Sequence, residues 1–211
     1  MIIIKKVICI GSNCIAADIM HSVGIREPGP VDNISCFNIW KSHALFDGEF
    51  KKLLFKYPYE VRYSTRQEKD ECSYENKVFR FRRGFYIVHN DFESKKFQKS
   101  IKKRIKDFKK YYKKSIKDEN LWFVYSLNLD DGNLTDEYFQ QLLPSLPKEC
   151  KERLICLGMR GHNNLFEKYF SYYLDCGSEK DYKWHDKENA LFFIKKLEQK
   201  YNLKFIIPED N

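Results

Sequence analysis

The feature that most constrains the fold is a set of short, continuous apolar runs, Val7 to Ile10, Leu121 to Tyr125 and Leu154 to Leu157, separated by stretches of helical period. A strand that is apolar at every position has both faces buried, which happens where helices cover both sides of a parallel sheet. The alternation therefore predicts an α/β, three-layer sandwich with a mostly parallel central sheet, built as one domain over 1–211. With 43% apolar and 16% aromatic residues in 211, the chain can bury a sizeable core; only 9 Gly and 6 Pro argue against a fibre or a disordered segment.

The first thirteen residues read as a strand ending at Gly11-Ser12-Asn13. The period then becomes helical, with Ile15, Ile19 and Val23 four residues apart and Gly24 as the stop. Residues 26–33 form a turn-rich loop, followed by short helices over Ile34 to Phe46 and Phe50 to Tyr57. Residues 58–77 are polar and read as an irregular excursion. Val78 to Arg82 and Phe85 to Val88 form two short strands about Arg83-Gly84. A long helix spans Glu93 to Asp118, and a shorter one Thr135 to Leu143. The segment Leu165 to Tyr173, a helix over Asp186 to Tyr201 and a last strand over Lys204 to Ile207 complete the order.

The apolar Ile2-Ile3-Ile4 run is cut by Lys5-Lys6, and nothing approaches the roughly 18 uninterrupted apolar residues of a membrane span, so an intracellular, cytoplasmic location is expected. The seven cysteines are scattered without CxxC spacing, which supports neither a disulfide framework nor a zinc knuckle. Asp130-Asp131-Gly132-Asn133 lacks the spacing of a calcium loop and reads as a turn. No metal and no cofactor is called for.

In a parallel sheet, sites gather at the carboxyl ends of strands. Cys14 falls there, at a helix N-terminus, where the dipole and unpaired amides lower a thiol pKa and stabilise a developing oxyanion. It can be a nucleophile, or a small residue closing a strand-to-helix turn. A nucleophilic thiol needs a base. His89, followed by Asn90-Asp91 at a strand end, is the best-placed histidine; His162 and His185 are alternatives.

These residues also carry a resemblance. The string Ile8-Cys9-Ile10-Gly11-Ser12-Asn13-Cys14, the loop Pro30-Val31-Asp32-Asn33, the strand end His89-Asn90-Asp91-Phe92, the basic helix and the strand Leu121-Trp122-Phe123-Val124 resemble a family described as papain-like cysteine peptidases. That family's pattern is Gly-Ser-x-Cys, Pro-Phe-Asp-Trp and His-Asp-Phe. Here Val31 and Asn33 replace the aromatic pair, and Asn90 separates His89 from Asp91. The resemblance implies Cys14 as nucleophile, His89 as base and Asp32 or Asp91 as orienting acid. The implied reaction is attack on an ester, thioester or amide carbonyl, Ser12 or Asn13 helping to hold the oxyanion. It also implies an alternative fold, papain-like α+β. The opening strand, Gly-Ser turn and helix look equally like the first block of Gly-Asp-Ser-type ester hydrolases, with Ser12 or Cys14 as nucleophile and His185 as the late histidine.

The formal net charge of +8 is localised. Residues 93–118 hold 12 Lys or Arg against 3 acids; the other 185 residues hold 26 against 27. Phe97, Ile101, Ile105, Phe108, Tyr112 and Ile116 recur at three- and four-residue steps, giving one buried stripe and a solvated face. Lys99, Lys102, Lys103, Arg104, Lys106 and Lys110 on that face could grip an anionic polymer, a membrane surface or an acidic protein, the alternative to catalysis being a binding module. A plain lysine-rich solvent face would look the same.

Overall fold

The computed structural model describes residues 1–11, 14–32, 44–67, 73–81, 85–87, 91–115, 119–128, 137, 139–140, 143–159, 164–177 and 186–209. The first apolar stretch is divided at Lys5 into β1 (Ile2–Ile4) and β2 (Lys6–Gly11), followed by α1 (Cys14–Ser22) and a two-residue β3 (Arg26–Glu27). Then come α2 (Phe50–Phe55), β4 (Tyr59–Gln67), β5 (Ser73–Phe81), β6 (Phe85–Ile87), α3 (Lys95–Ser115) and β7 (Leu121–Asn128). The remainder supplies α4 (Lys148–Glu152), β8 (Leu154–Met159), β9 (Tyr172–Asp175), α5 (Lys187–Tyr201) and β10 (Leu203–Phe205).

The central sheet has the order β3-β2-β7-β8-β9, and every pairing in it is parallel. The architecture is the α/β sandwich expected from the continuous apolar strands, and the papain-like α+β alternative is not adopted. Consecutive residues of β7 show the layers, because neighbours on a strand point to opposite faces. Phe123 meets Phe46 (ring centroids 5.9 Å apart), which meets Phe108 and Tyr112 of α3 at 5.5 and 4.9 Å. Trp122 meets Tyr172 at 4.8 Å, and Tyr172 meets Tyr201 at the end of α5 at 5.4 Å. So α3 covers one face and α5 the other, with α1 packed against β2, β7 and α5.

Helix ends follow the sequence. The N–H of Gly24 donates to the carbonyl of His21 and that of Ile25 to Met20, a Schellman closure of α1 with Ile25 and Met20 both buried. Asp186 caps α5, its side chain accepting from Glu188 N–H at 3.0 Å.

The stretch 58–77, expected to be irregular, instead contains β4 and the first half of a strand pair with β5. The two run antiparallel from Tyr59 opposite Phe81 to Gln67 opposite Ser73, and β6 joins β5 antiparallel as the other edge. Its base is anchored by aromatic rings: Phe92 lies 5.1 Å from Phe81, 5.3 Å from Tyr59 and 5.7 Å from Phe55. Tyr172–Asp175, partly inside the segment Leu165 to Tyr173, is a strand, preceded by a short 3-10 turn at Asn164–Tyr169. β10 pairs in parallel with β1, so the last described strand lies beside the first.

On the edge strand β9, one side chain takes both backbone groups of Tyr173. The Tyr201 hydroxyl accepts from Tyr173 N–H at 2.8 Å and donates to Tyr173 carbonyl oxygen at 2.7 Å, an oxygen Lys200 Nζ also reaches at 3.2 Å. The hydroxyl of Tyr173 itself is buried without a hydrogen-bond partner among the described residues, pressed against Gly158 of β8, where an added Cβ would lie 2.2 Å away. Burial pushes that hydroxyl's pKa well up.

Candidate functional site

The chain leaves β2 for β3 on one side and reaches β7 on the other, so the topological switch point falls between β2 and β7, at their carboxyl ends. There β2 ends at Gly11, whose φ of 138° is one that side-chain-bearing residues rarely adopt, and α1 begins three residues later at Cys14. Register with β7 also shifts between Cys9 and Gly11. A bulged strand end, a glycine turn and a helix N-terminus thus follow one another at this position. Ser12 and Asn13 lie outside the described residues, as do His89, His162, His185 and the loop Asp130 to Asn133.

The loop after β3 carries Asp32, which is 1% exposed. Gly29 N–H donates to its Oδ2 at 2.9 Å, and Nη1 atoms of Arg26 and Arg104 lie 3.7 Å from the same oxygen. Gly29 is required by packing: a Cβ there would sit 2.9 Å from both Asp32 Oδ1 and the Cys9 carbonyl oxygen of β2. The cluster is buried but loosely bonded. Asp32 Oδ1, Arg26 Nε and Arg104 Nη1 have no hydrogen-bond partner among the described residues. Burial accordingly lifts the Asp32 carboxyl from 3.8 to about 6, against the lowering pull of Arg26, the Gly29 N–H and Arg104; Asp18 adds to the lift. Two arginines would ordinarily depress a carboxyl, but at 3.7 Å they do not replace the hydration it has lost. Asp18 is one turn along α1 from Cys14, so Asp32 lies within electrostatic reach of the helix that begins at the switch point.

Of the two candidate acids, Asp91 is in a different setting. It is exposed, its Oδ1 accepting from Glu93 N–H at 3.1 Å and its carbonyl from Ser94 N–H, a turn that leads into α3. Among the candidate cations, Lys99, Lys102, Lys103, Lys106 and Lys110 are exposed on α3, with Lys102 Nζ 4.7 Å over the Phe55 ring. Arg104 is not on that solvent face. Its side chain is about three-quarters covered and turned to Asp32, because Ile101 and Ile105 beside it point into the core. Arg26 and Gly29 were passed over in the sequence as parts of a turn-rich loop. One signal was available: Arg104 is the single Arg among eleven Lys of its segment, and a delocalised guanidinium tolerates a buried ion pair better than an ammonium.

Four further thiols are structural; Cys36 and Cys72 lie outside the described residues. Cys9, Cys150, Cys156 and Cys176 are fully or almost fully buried, and burial pushes the thiols of Cys150, Cys156 and Cys176 well up. Among the described residues, no three His, Cys, Asp or Glu are grouped to hold a metal ion, and no helix is long and apolar enough to cross a membrane.

No family model, curated protein or solved structure matches the chain. What fold and site define together is an α/β sandwich of five parallel strands with a buried Asp–Arg cluster beside its switch point.

Proposed function

We propose that the protein is a cysteine-dependent hydrolase or acyl-transfer enzyme, with Cys14 as nucleophile, His89 as base and Asp32 as the buried acid of the site. The observation that carries the reading is the start of α1 at Cys14, just beyond Gly11 at the carboxyl end of β2. A thiol there has the helix amides and the positive end of the dipole beside it, which favours thiolate and an adjacent oxyanion. In the reaction, Cys14 sulfur bonds to the carbonyl carbon of an ester, thioester or amide. His89 takes the thiol proton and returns it to the leaving oxygen, sulfur or nitrogen as that bond breaks. Water, deprotonated by the same imidazole, or a second acceptor nucleophile then releases the acyl group from sulfur.

The test is alkylation by iodoacetamide at pH 7, read peptide by peptide by mass spectrometry. Cys14 should react faster than Cys36 and Cys72 and faster than free cysteine, and His89→Ala should shift the pH at which its reactivity rises. Reaction of Cys14 no faster than free cysteine sinks the proposal. The parallel sheet also suits a second reading, an ester hydrolase of the Gly-Asp-Ser type with Ser12 as nucleophile and His185 as base. Labelling of Ser12 by a fluorophosphonate, with Cys14 unreactive, would select it.

A further inference from the structure

The last two turns of α3 and the segment before α2 border a cleft of about 540 Å³, lined by Leu45, Phe46, Lys109, Lys110, Tyr112 and Lys113. This volume lies within the roughly 300–1,000 Å³ typical of small-molecule sites. Its floor is fixed: Leu45 is buried, and Phe46 is held edge-on by Phe108, Tyr112 and Phe123, which ties it to the central sheet. Its rim is cationic. Lys109, Lys110 and Lys113 are exposed, and none has an ion-pair partner among the described residues. Lys109 leans over the cleft's edge, its Nζ 2.9 Å from where a Cβ on Gly48 would stand. Burial, joined by the charge of Glu149, raises the pKa of the Tyr112 hydroxyl on the floor; of the two acids that flank Gly48, Glu49 pairs with Lys52 and Asp47 Oδ1 accepts from Glu49 N–H.

Lysines near a helix C-terminus also complement its dipole, and that alone would explain cations here. It does not explain an apolar concavity between them. We propose that this cleft binds a small amphipathic anion, an alkyl chain or aromatic ring ending in a carboxylate or phosphate, with the apolar body on Leu45, Phe46 and Tyr112 and the anionic end among the three lysines. A polymeric anion would need charge along the helix but no apolar floor; a neutral lipid would need the floor but no lysines. The described lining includes neither Cys14 nor Asp32, and the test does not depend on catalysis.

The probe is 8-anilinonaphthalene-1-sulfonate, titrated at low ionic strength and followed by fluorescence. One saturable site is expected. Decanoate should displace the probe at concentrations at least about tenfold below those needed for acetate, which has the charge without the chain, or decanol, which has the chain without the charge. Lys109→Gln with Lys113→Gln should weaken binding about five- to tenfold at unchanged melting temperature, and Lys110→Gln alone should weaken it by less. Lys95→Gln with Lys96→Gln, at the other end of α3, should leave it within twofold. The proposal is overturned by the absence of a saturable site or by acetate or inorganic phosphate competing as well as decanoate. An equal loss in the Lys95 and Lys96 variant also overturns it. Displacement by an oligonucleotide at lower phosphate concentration than decanoate would overturn it in favour of a nucleic-acid surface.

Discussion

Arg104 of the basic helix and Asp32 of the loop after β3 meet at 3.7 Å beneath the surface, so the one arginine of a lysine-rich helix is spent inside the molecule. The contact joins α3 to the carboxyl end of the sheet. Replacing Arg104 with Gln leaves a buried carboxylate with Arg26 as its remaining cation, and should destabilise the fold by about 1–3 kcal/mol at pH 7. Lys103→Gln, one residue away and exposed, should change stability by less than about 0.5 kcal/mol. Urea denaturation of the two variants makes the comparison, and equal losses would show that the buried pair has no special weight.

Asp32 also sets a pH dependence. Its carboxyl titrates near 3.8 when unfolded and at about 6 in the native protein, so between those values the native state holds more protons. The contribution of this group to stability therefore falls as pH rises through that window, and the burial penalty is complete above about pH 6.5, amounting to at most about 3 kcal/mol. Asp32→Asn does not titrate. Its stability relative to the parent protein should rise from pH 4 to pH 7, measured by denaturation at each pH; a constant difference would show that Asp32 ionises normally.

Tyr173 offers a substitution that should lose little. Its hydroxyl has no hydrogen-bond partner among the described residues and is desolvated, so Tyr173→Phe should be neutral or stabilising by up to about 1 kcal/mol. Gly158→Ala should do the opposite. A methyl group 2.2 Å from that hydroxyl and 2.8 Å from ring carbon Cζ must push the ring aside, at a loss of about 2–4 kcal/mol, only partly recovered when Tyr173→Phe is added. Thermal melts of the two single variants and the double variant complete the cycle. A loss of more than 1 kcal/mol in Tyr173→Phe alone would mean the hydroxyl is paired.

Thiol counting separates the structural cysteines from the rest. With Cys9, Cys150, Cys156 and Cys176 buried, no more than three of the seven thiols should react with a disulfide reagent in native buffer within minutes, and all seven in denaturant. Fast reaction of a fourth thiol would mean that part of the core opens readily.

The central sheet was legible because β2, β7 and β8 are apolar on both faces, and α3 because its stripe at Ile101, Ile105 and Phe108 keeps helical period for several turns. The β4–β5 ribbon was not. Val61 and Arg62 are exposed on adjacent positions, so no hydrophobic alternation marks this part of the strand, and their partners Phe79 and Val78 lie 18 and 16 residues further on. β3 has two residues and carries no pattern of its own. Asp32 stood in a loop of turn formers, where a carboxylate ordinarily faces water; its burial depends on Gly29 lying against β2 and on an arginine seventy-two residues further on. The position of Cys14 between a strand and the start of a helix was legible because it is a local property that needs no distant partner to be read.

The two hydrogen bonds between the Tyr201 hydroxyl and the Tyr173 backbone also limit how this molecule can meet others. A foreign strand approaching β9 finds the backbone donor and acceptor of Tyr173 already taken, by a side chain rooted in the molecule's own last helix. To add a strand at that edge, α5 would first have to release its terminal turn. At Tyr173 the edge is thus covered by a phenol, and the readiness of that stretch of β9 to form intermolecular β-structure becomes a property of how firmly one helix end is held.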